Sequence, residues 1–375
     1  VALTYRVTRL ARLGMFSVVA AALGAADPLL LNQSTLVMTE TLAALLSMVV
    51  LWRLVALDRR PTYFSAATAG IAIGLAALCR PTYLPLLALV PAAMIVLRRS
   101  SSSSQDSATT QRPELMSSDE TSTELAESLA DRNDAPSPSK KNARADSPLV
   151  RRAKLAGVVA ASILLTLAPW AVRNRLTFGI WKVTTTHGGY TLLLGNNPEF
   201  YEHLRTGPAG SVWAPRNDEQ LMEDARAAEG LPLRAELRSA PSGRYYELED
   251  DALAYRQAKR FIQAEPAMFI RACLFRVSQF WSPWPHTGGT LARQAVGVWY
   301  VGVFCAAVIG LVARRRELLD SPWLWSGLIV ACFVAAHVAY WSNLRMRAPI
   351  MPLIALAAAA GVEKFFRILL KSRAV

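Results

Sequence analysis

Residues 291–313 read LARQAVGVWYVGVFCAAVIGLVA, an apolar run with one charge, Arg293, followed at once by Arg314, Arg315 and Arg316. A helix needs roughly 20 apolar residues to cross a hydrocarbon layer of about 30 Å. An apolar run of that length ending in arginines reads as a transmembrane helix whose cationic end faces the cytoplasm. Working outward from it, apolar blocks of the same kind give spans at 14–31, 38–57, 63–79, 83–97, 154–172, 321–341 and 347–367. The shorter blocks suit helices inside a bundle or a locally thinned bilayer. The expected fold is an all-α polytopic membrane protein of about eight transmembrane helices, with one larger external loop domain that is small and mixed α/β.

Of the 375 residues, 53% are hydrophobic and 18% charged, and the apolar ones gather in long blocks where a soluble domain would show short periodic faces. The net charge of +13 does not point to nucleic acid, because the basic residues sit just beyond the span ends. If the spans alternate, Arg59 and Arg60, Arg98 and Arg99, Arg151 and Arg152 with Lys154, Arg314 to Arg316, and Lys371 with Arg373 share one face. That face is expected to be cytoplasmic. Both termini then lie inside, and 32–37, 80–82, 173–290 and 342–346 lie outside. The expected location is the inner cell membrane, multi-pass, with the active face outward and membrane lipids around it.

The domain reading is membrane helices one to four over 1–97, a disordered cytoplasmic linker over 98–150, the fifth helix over 151–172, the external loop domain over 173–290, and the last three helices over 291–375. The linker, from RRSSSSSQDSATT to KKNARADSP, has almost no aromatic or branched residues with which to build a core. In the external segment, RNRLTFGIWKVTTTHGGYTLLLGNNPEF (173–200) alternates β-branched and aromatic residues with Gly and Asn, which predicts a few strands or extended loops. The stretch 201–244 reads as polar and irregular. From Glu247 the pattern is helical, with a break at Pro266 and then an interfacial helix in which Arg271 and Arg276 interrupt Met268, Phe269, Cys273, Phe275 and Phe280. The four cysteines form no CxxC pair and read as small apolar residues, outside any metal or disulfide role. No Walker pattern, dinucleotide glycine pattern or helical histidine pair is present.

Ionisable residues at span edges are costly in a bilayer and mark sites or pathways. On the outer face these are Asp27, Glu40, Arg80, Arg173 and Arg175 with Asn174, and Arg345 and Arg347. Each has a second reading. Glu40 caps its helix through the dipole or serves chemistry; Asp27 before Pro28 ends a helix; Arg80 and Arg173 anchor at headgroups or bind phosphate. Arg345 and Arg347 run against the basic bias of the other face, which favours phosphate. His187 lies in a Thr-Thr-His-Gly-Gly loop where glycines permit close approach to a ligand or make an ordinary loop. His337 reads as a buried hydrogen-bonding group or a proton relay, and Asn196 with Asn197 as a turn.

Five stretches, DPLLLNQSTLVMTETL (27–42), GLAALCRPTYLPLL (74–87), APWAVRNRLTFG (168–179), THGGYTLLLGNNP (186–198) and RMRAPIMPLIALAAAAG (345–361), resemble in order and placement the GT-C glycosyltransferases. The likeness is to the bacterial branch similar to protein O-mannosyltransferases and lipid A aminoarabinose transferases. The resemblance implies transfer of a sugar from a polyprenyl-phosphate or diphosphate carrier to a lipid, glycan or protein acceptor outside. It implies a catalytic or assisting role for Glu40, the family's second acidic position, and donor or acceptor binding by Arg80, Arg173, His187, Arg345 and Arg347. A divalent ion is left open, because GT-C relatives differ in using one. The family's first acidic residue, its usual base, would precede Val1, so the chain beginning at Val1 is expected to insert and transfer no sugar. A flippase of lipid-linked saccharides and a non-catalytic fragment are the competing readings.

Overall fold

A computed structural model of the chain describes residues 1–36, 38–97, 147–208, 211, 213, 218–234, 236 and 246–372. Most of the expected linker, from 98 to 146, and parts of the irregular stretch 201–244 lie outside the described residues. The helices are α1 (Ala2–Leu10), α2 (Ser17–Ala25), α3 (Pro28–Ser34), α4 (Glu40–Arg59), α5 (Tyr63–Cys79), α6 (Leu86–Val96) and α7 (Pro148–Phe178). They continue as α8 (Gly188–Leu194), α9 (Pro198–Thr206), α10 (Asp218–Ala228), α11 (Tyr246–Ala264), α12 (Pro266–Trp281), α13 (Thr290–Ala313), α14 (Trp323–Ala339) and α15 (Met351–Ser372). A 3-10 stretch, Leu344–Ile350, joins the last two.

Proline sets many of the starts. Asp27, Ser147 and Asn197 each accept a hydrogen bond from a backbone N–H of the following helix, with Pro at its first position. Pro266 likewise opens α12 where the sequence predicts a break. Gly179, at φ 75°, ends α7 in the left-handed region that favours glycine.

Three helices, α4, α7 and α13, are long and apolar enough to cross a membrane on their own. A fourth span results if Gly14–Ala25 and Pro28–Ser34, bent by 52°, are taken together. Of the eight expected from sequence, the length and composition of the described helices show three, or up to four. The cause is breakage within or beside apolar blocks. Asp27-Pro28 splits the first, Arg80-Pro81 shortens the third and fourth, and 3-10 turns occupy the start of the last, whose helix also holds Glu363, Lys364 and Arg367.

The mixed α/β expectation for the external segment is corrected: among the described residues no strand occurs, and the segment is helical. RNRLTF simply continues α7, leaving the short stretch 179–187 outside helices. The TLLLG run becomes α8 because Leu192 and Leu193 pack on Leu253, Ala254 and Ala258 of α11. A short apolar run bounded by glycines fits strand and buried helix equally, so periodicity alone does not separate them.

Helix crossings rely on small residues, as is usual where lipid supplies no hydrophobic drive between helices. A Cβ on Gly310 would overlap the Ala357 carbonyl, and one on Gly361 the Ala306 carbonyl, so α13 and α15 touch backbone to backbone. At the α5–α7 crossing, a Cβ on Gly70 would lie 2.5 Å from the Val159 carbonyl oxygen, and one on Gly74 2.6 Å from the Thr166 Cβ. The outward faces of α7 and α13 expose Leu164, Leu165, Val298, Val308 and Val312, an apolar surface that suits lipid better than water.

The bundle has two distinct ends. At one, Arg59 donates to the Leu10 carbonyl, Arg151 to the Pro61 carbonyl, Trp325 Nε1 to Asp58 (2.6 Å), and Arg314 pairs with Glu363 (2.6 Å). At the other lie Glu40, Arg80 and the 3-10 stretch. The segment 173–290 packs there, since Tyr340 and Trp341, just past the end of α14, join its two small cores.

Candidate functional site

Glu40 opens α4, where its carboxylate lies in the favourable field of the helix N-terminus. Its side chain is 2% exposed. Arg80, just past the end of α5, donates through Nη2 to Glu40 Oε1 (2.9 Å) and through Nε to the Thr39 hydroxyl (3.2 Å). Arg345 comes from the 3-10 stretch, and its Nε lies 3.1 Å from the same Oε1. Two guanidiniums therefore meet one carboxylate oxygen, and Glu40 Oε2, also buried, has no hydrogen-bond partner. The methionines beside these residues close the cluster, Met346 against Arg80 and Met38 against Arg345.

The cluster carries a net charge of +1. A buried ion pair of this kind is costly to desolvate and adds little to stability by itself. Its chemical capacities are two: an anion is attracted to the guanidiniums, of which Arg345 is the more open at 36% exposure, and Oε2 is free to accept a proton or a hydroxyl.

Arg347 is placed differently. It is fully buried, donates to the Phe280 and Ser282 carbonyls, and lies 4.3 Å from the Tyr300 ring centroid and 5.1 Å from that of Phe304. It holds the end of α12 to the bundle, and the structure places it apart from Arg345, with Nε and Nη2 buried and without a hydrogen-bond partner. Asp27, expected to end a helix, instead begins one. It accepts from the Leu30 N–H (2.9 Å) and from the Tyr300 hydroxyl (3.1 Å), fastening the bent first span to α13.

Arg173 is exposed and stacks on Trp170 and Phe178 at 5.1 and 5.0 Å, the geometry of an interfacial anchor. His187 is exposed and its ring lies tilted against that of Tyr190 (centroids 4.7 Å apart), outside the group of side chains gathered around Glu40. The neighbouring glycines serve helix packing: a Cβ on Gly188 would overlap the Tyr255 hydroxyl and one on Gly189 the Asp251 carbonyl, and Gly189 N–H donates to Asp251 Oδ1 (2.7 Å). His337 is buried against Phe280, with ring centroids 5.7 Å apart.

Sequence reasoning missed Arg276. Read as an interfacial charge, it is 1% exposed and donates to the carbonyls of Val338 (2.6 Å) and Gly195, with Asn196 Oδ1 at 3.4 Å. Burial pushes its guanidinium below the ordinary arginine value. Asn196 Nδ2 donates in turn to the Ala339 carbonyl (3.0 Å), so the pair fastens the segment 173–290 to the end of α14. An arginine inside an otherwise aromatic helix face was the signal available. Among the described residues, no three His, Cys, Asp or Glu side chains gather as a metal-binding group. Set against protein-family models, curated proteins and solved structures, the chain finds no match.

Proposed function

We propose that this chain spans the inner cell membrane about eight times and belongs to a glycosyltransferase that takes a sugar from a polyprenyl-phosphate or diphosphate carrier and passes it to an acceptor outside. In this arrangement the shorter apolar helices Tyr63–Cys79, Pro81–Val96 and Trp323–Ala339 and the α15 helix complete the set of spans, the shorter ones supported by their neighbours. The observation that carries the reading is the meeting of Glu40, Arg80 and Arg345 at the end of the bundle opposite the basic loops. Lipid phosphate is a leaving group that needs cations more than an acid, and guanidinium forks match its geometry. Arg345, the more open of the two, takes the donor phosphate. Glu40 Oε2 assists removal of the acceptor's hydroxyl proton.

The bent first span beside buried Asp27 also suits a carrier of lipid-linked saccharides, where broken helices mark the transport path. One experiment separates the two. The full-length protein, reconstituted in vesicles, is given a radiolabelled polyprenyl-phosphate sugar and a membrane extract as acceptor. The enzyme reading predicts transfer above the extract's background. Movement of the donor between leaflets with no transfer establishes the carrier, and neither activity rejects both.

A further inference from the structure

From Lys364 onward every described residue of α15 is exposed. Lys364, Arg367 and Lys371 recur at helix spacing and form one stripe, while Phe365, Phe366, Ile368, Leu369 and Leu370 cover the rest of the surface. The Arg314–Glu363 pair draws the end of α13 against this stripe and brings Arg315 and Arg316, both exposed, beside it. Arg367 is held by Glu363 at 2.7 Å. Among the described residues Arg315, Arg316, Lys364 and Lys371 have no carboxylate partner, which leaves four uncompensated cations next to exposed aromatic and leucine side chains. A helix rises about 1.5 Å per residue, so the stretch from Met351 to Lys371 covers roughly the 30 Å of a hydrocarbon layer. The stripe then lies in the leaflet at the basic end, and its long side chains reach the headgroups by extending along the helix.

We propose that this surface binds an anionic phospholipid of that leaflet, its phosphate held by Arg315, Arg316, Lys364 and Lys371 and its acyl chains lying on Phe365 and Leu369. Charge complementarity selects the headgroup, and the flanking apolar side chains require a lipid, since a free phosphate would leave them bare. This lipid site occupies the end of the bundle away from Glu40 and stands whether or not sugar transfer is found.

The test is native mass spectrometry of the full-length protein released from nanodiscs containing equal amounts of phosphatidylglycerol and phosphatidylcholine. The wild type is expected to retain phosphatidylglycerol at least about tenfold over phosphatidylcholine, since each basic residue near the surface contributes about fivefold. The combined change Arg315→Gln, Arg316→Gln, Lys364→Gln and Lys371→Gln spares the Glu363 pairs and should bring that ratio near one. If the variant does not fold, the wild type decides alone: raising salt from about 0.05 to about 0.5 M before release should erode the preference by screening. Equal retention of both lipids by the wild type, an unchanged ratio in a folded variant, or a preference indifferent to salt overturns the proposal.

Discussion

Arg345 and Arg347 are two residues apart in a 3-10 stretch, which places their side chains roughly 120° apart around the axis at three residues per turn. One faces Glu40 and the other the carbonyls of Phe280 and Ser282. The sequence shows two arginines at a span edge but not this turn geometry, so both read as phosphate ligands there. The consequences of removing each differ. Arg345→Ala is expected to leave folding intact and to raise the KM for the lipid donor in transfer assays. Arg347→Ala strips the partner from two carbonyls, each costing about 1–3 kcal/mol when buried, and should lower the thermal midpoint in detergent by several degrees. A larger stability loss for Arg345 than for Arg347 would reverse the assignment. Glu40→Gln, which keeps shape and removes charge, should lower sugar transfer by about 10²-fold or more at unchanged membrane insertion; unchanged transfer leaves Glu40 only its place in the ion cluster and at the helix N-terminus.

At the scale of elements, the helices with long apolar runs are legible in the sequence, as are Pro266 as a break and the amphipathic helices around it. Of the strands or extended loops expected over 173–200, no strand forms: Leu192 and Leu193 are buried in helix α8 on α11, while Ile180, Trp181 and Val183 lie outside helices and stay exposed, so they have no sheet face to cover. The Gly188-Gly189 pair reads as room for a ligand, but the close neighbour is α11 itself. Glycine crossings cannot be located from sequence, because the partner backbone lies some 50 residues away, as with Gly310 and Gly361. Gly361→Ala and Gly310→Ala should both destabilise the protein in detergent, since each methyl overlaps a carbonyl that cannot move without shifting a helix. Gly302→Ala in the same α13 has nothing within 4 Å and should be neutral, or stabilising by up to about 1 kcal/mol through helix propensity. Thermal melting of the three variants checks the contrast, and equal melting would deny the tight crossing.

Over the whole molecule, the alternation of basic and non-basic loops is the most informative feature of the chain. It groups Arg59, Arg151 and Arg314 on one face, and these do share one end of the bundle. It also groups Glu40, Arg80 and Arg345, which meet at the other. What alternation does not supply is the number of spans, because helices of 17 residues or fewer owe their place to neighbours as well as to their own hydropathy. An outer site at Glu40 requires that the bundle cross a membrane with that end outward. The most direct test replaces Cys79, Cys273, Cys305 and Cys332 with alanine and introduces single cysteines at exposed Thr185 and exposed Asp320. A membrane-impermeant maleimide applied to intact spheroplasts should label Thr185→Cys at once and Asp320→Cys only after permeabilisation. Labelling of Asp320→Cys from outside with Thr185→Cys protected, or labelling of both, would contradict the proposed orientation and the placing of Glu40, Arg80 and Arg345 at an outer site.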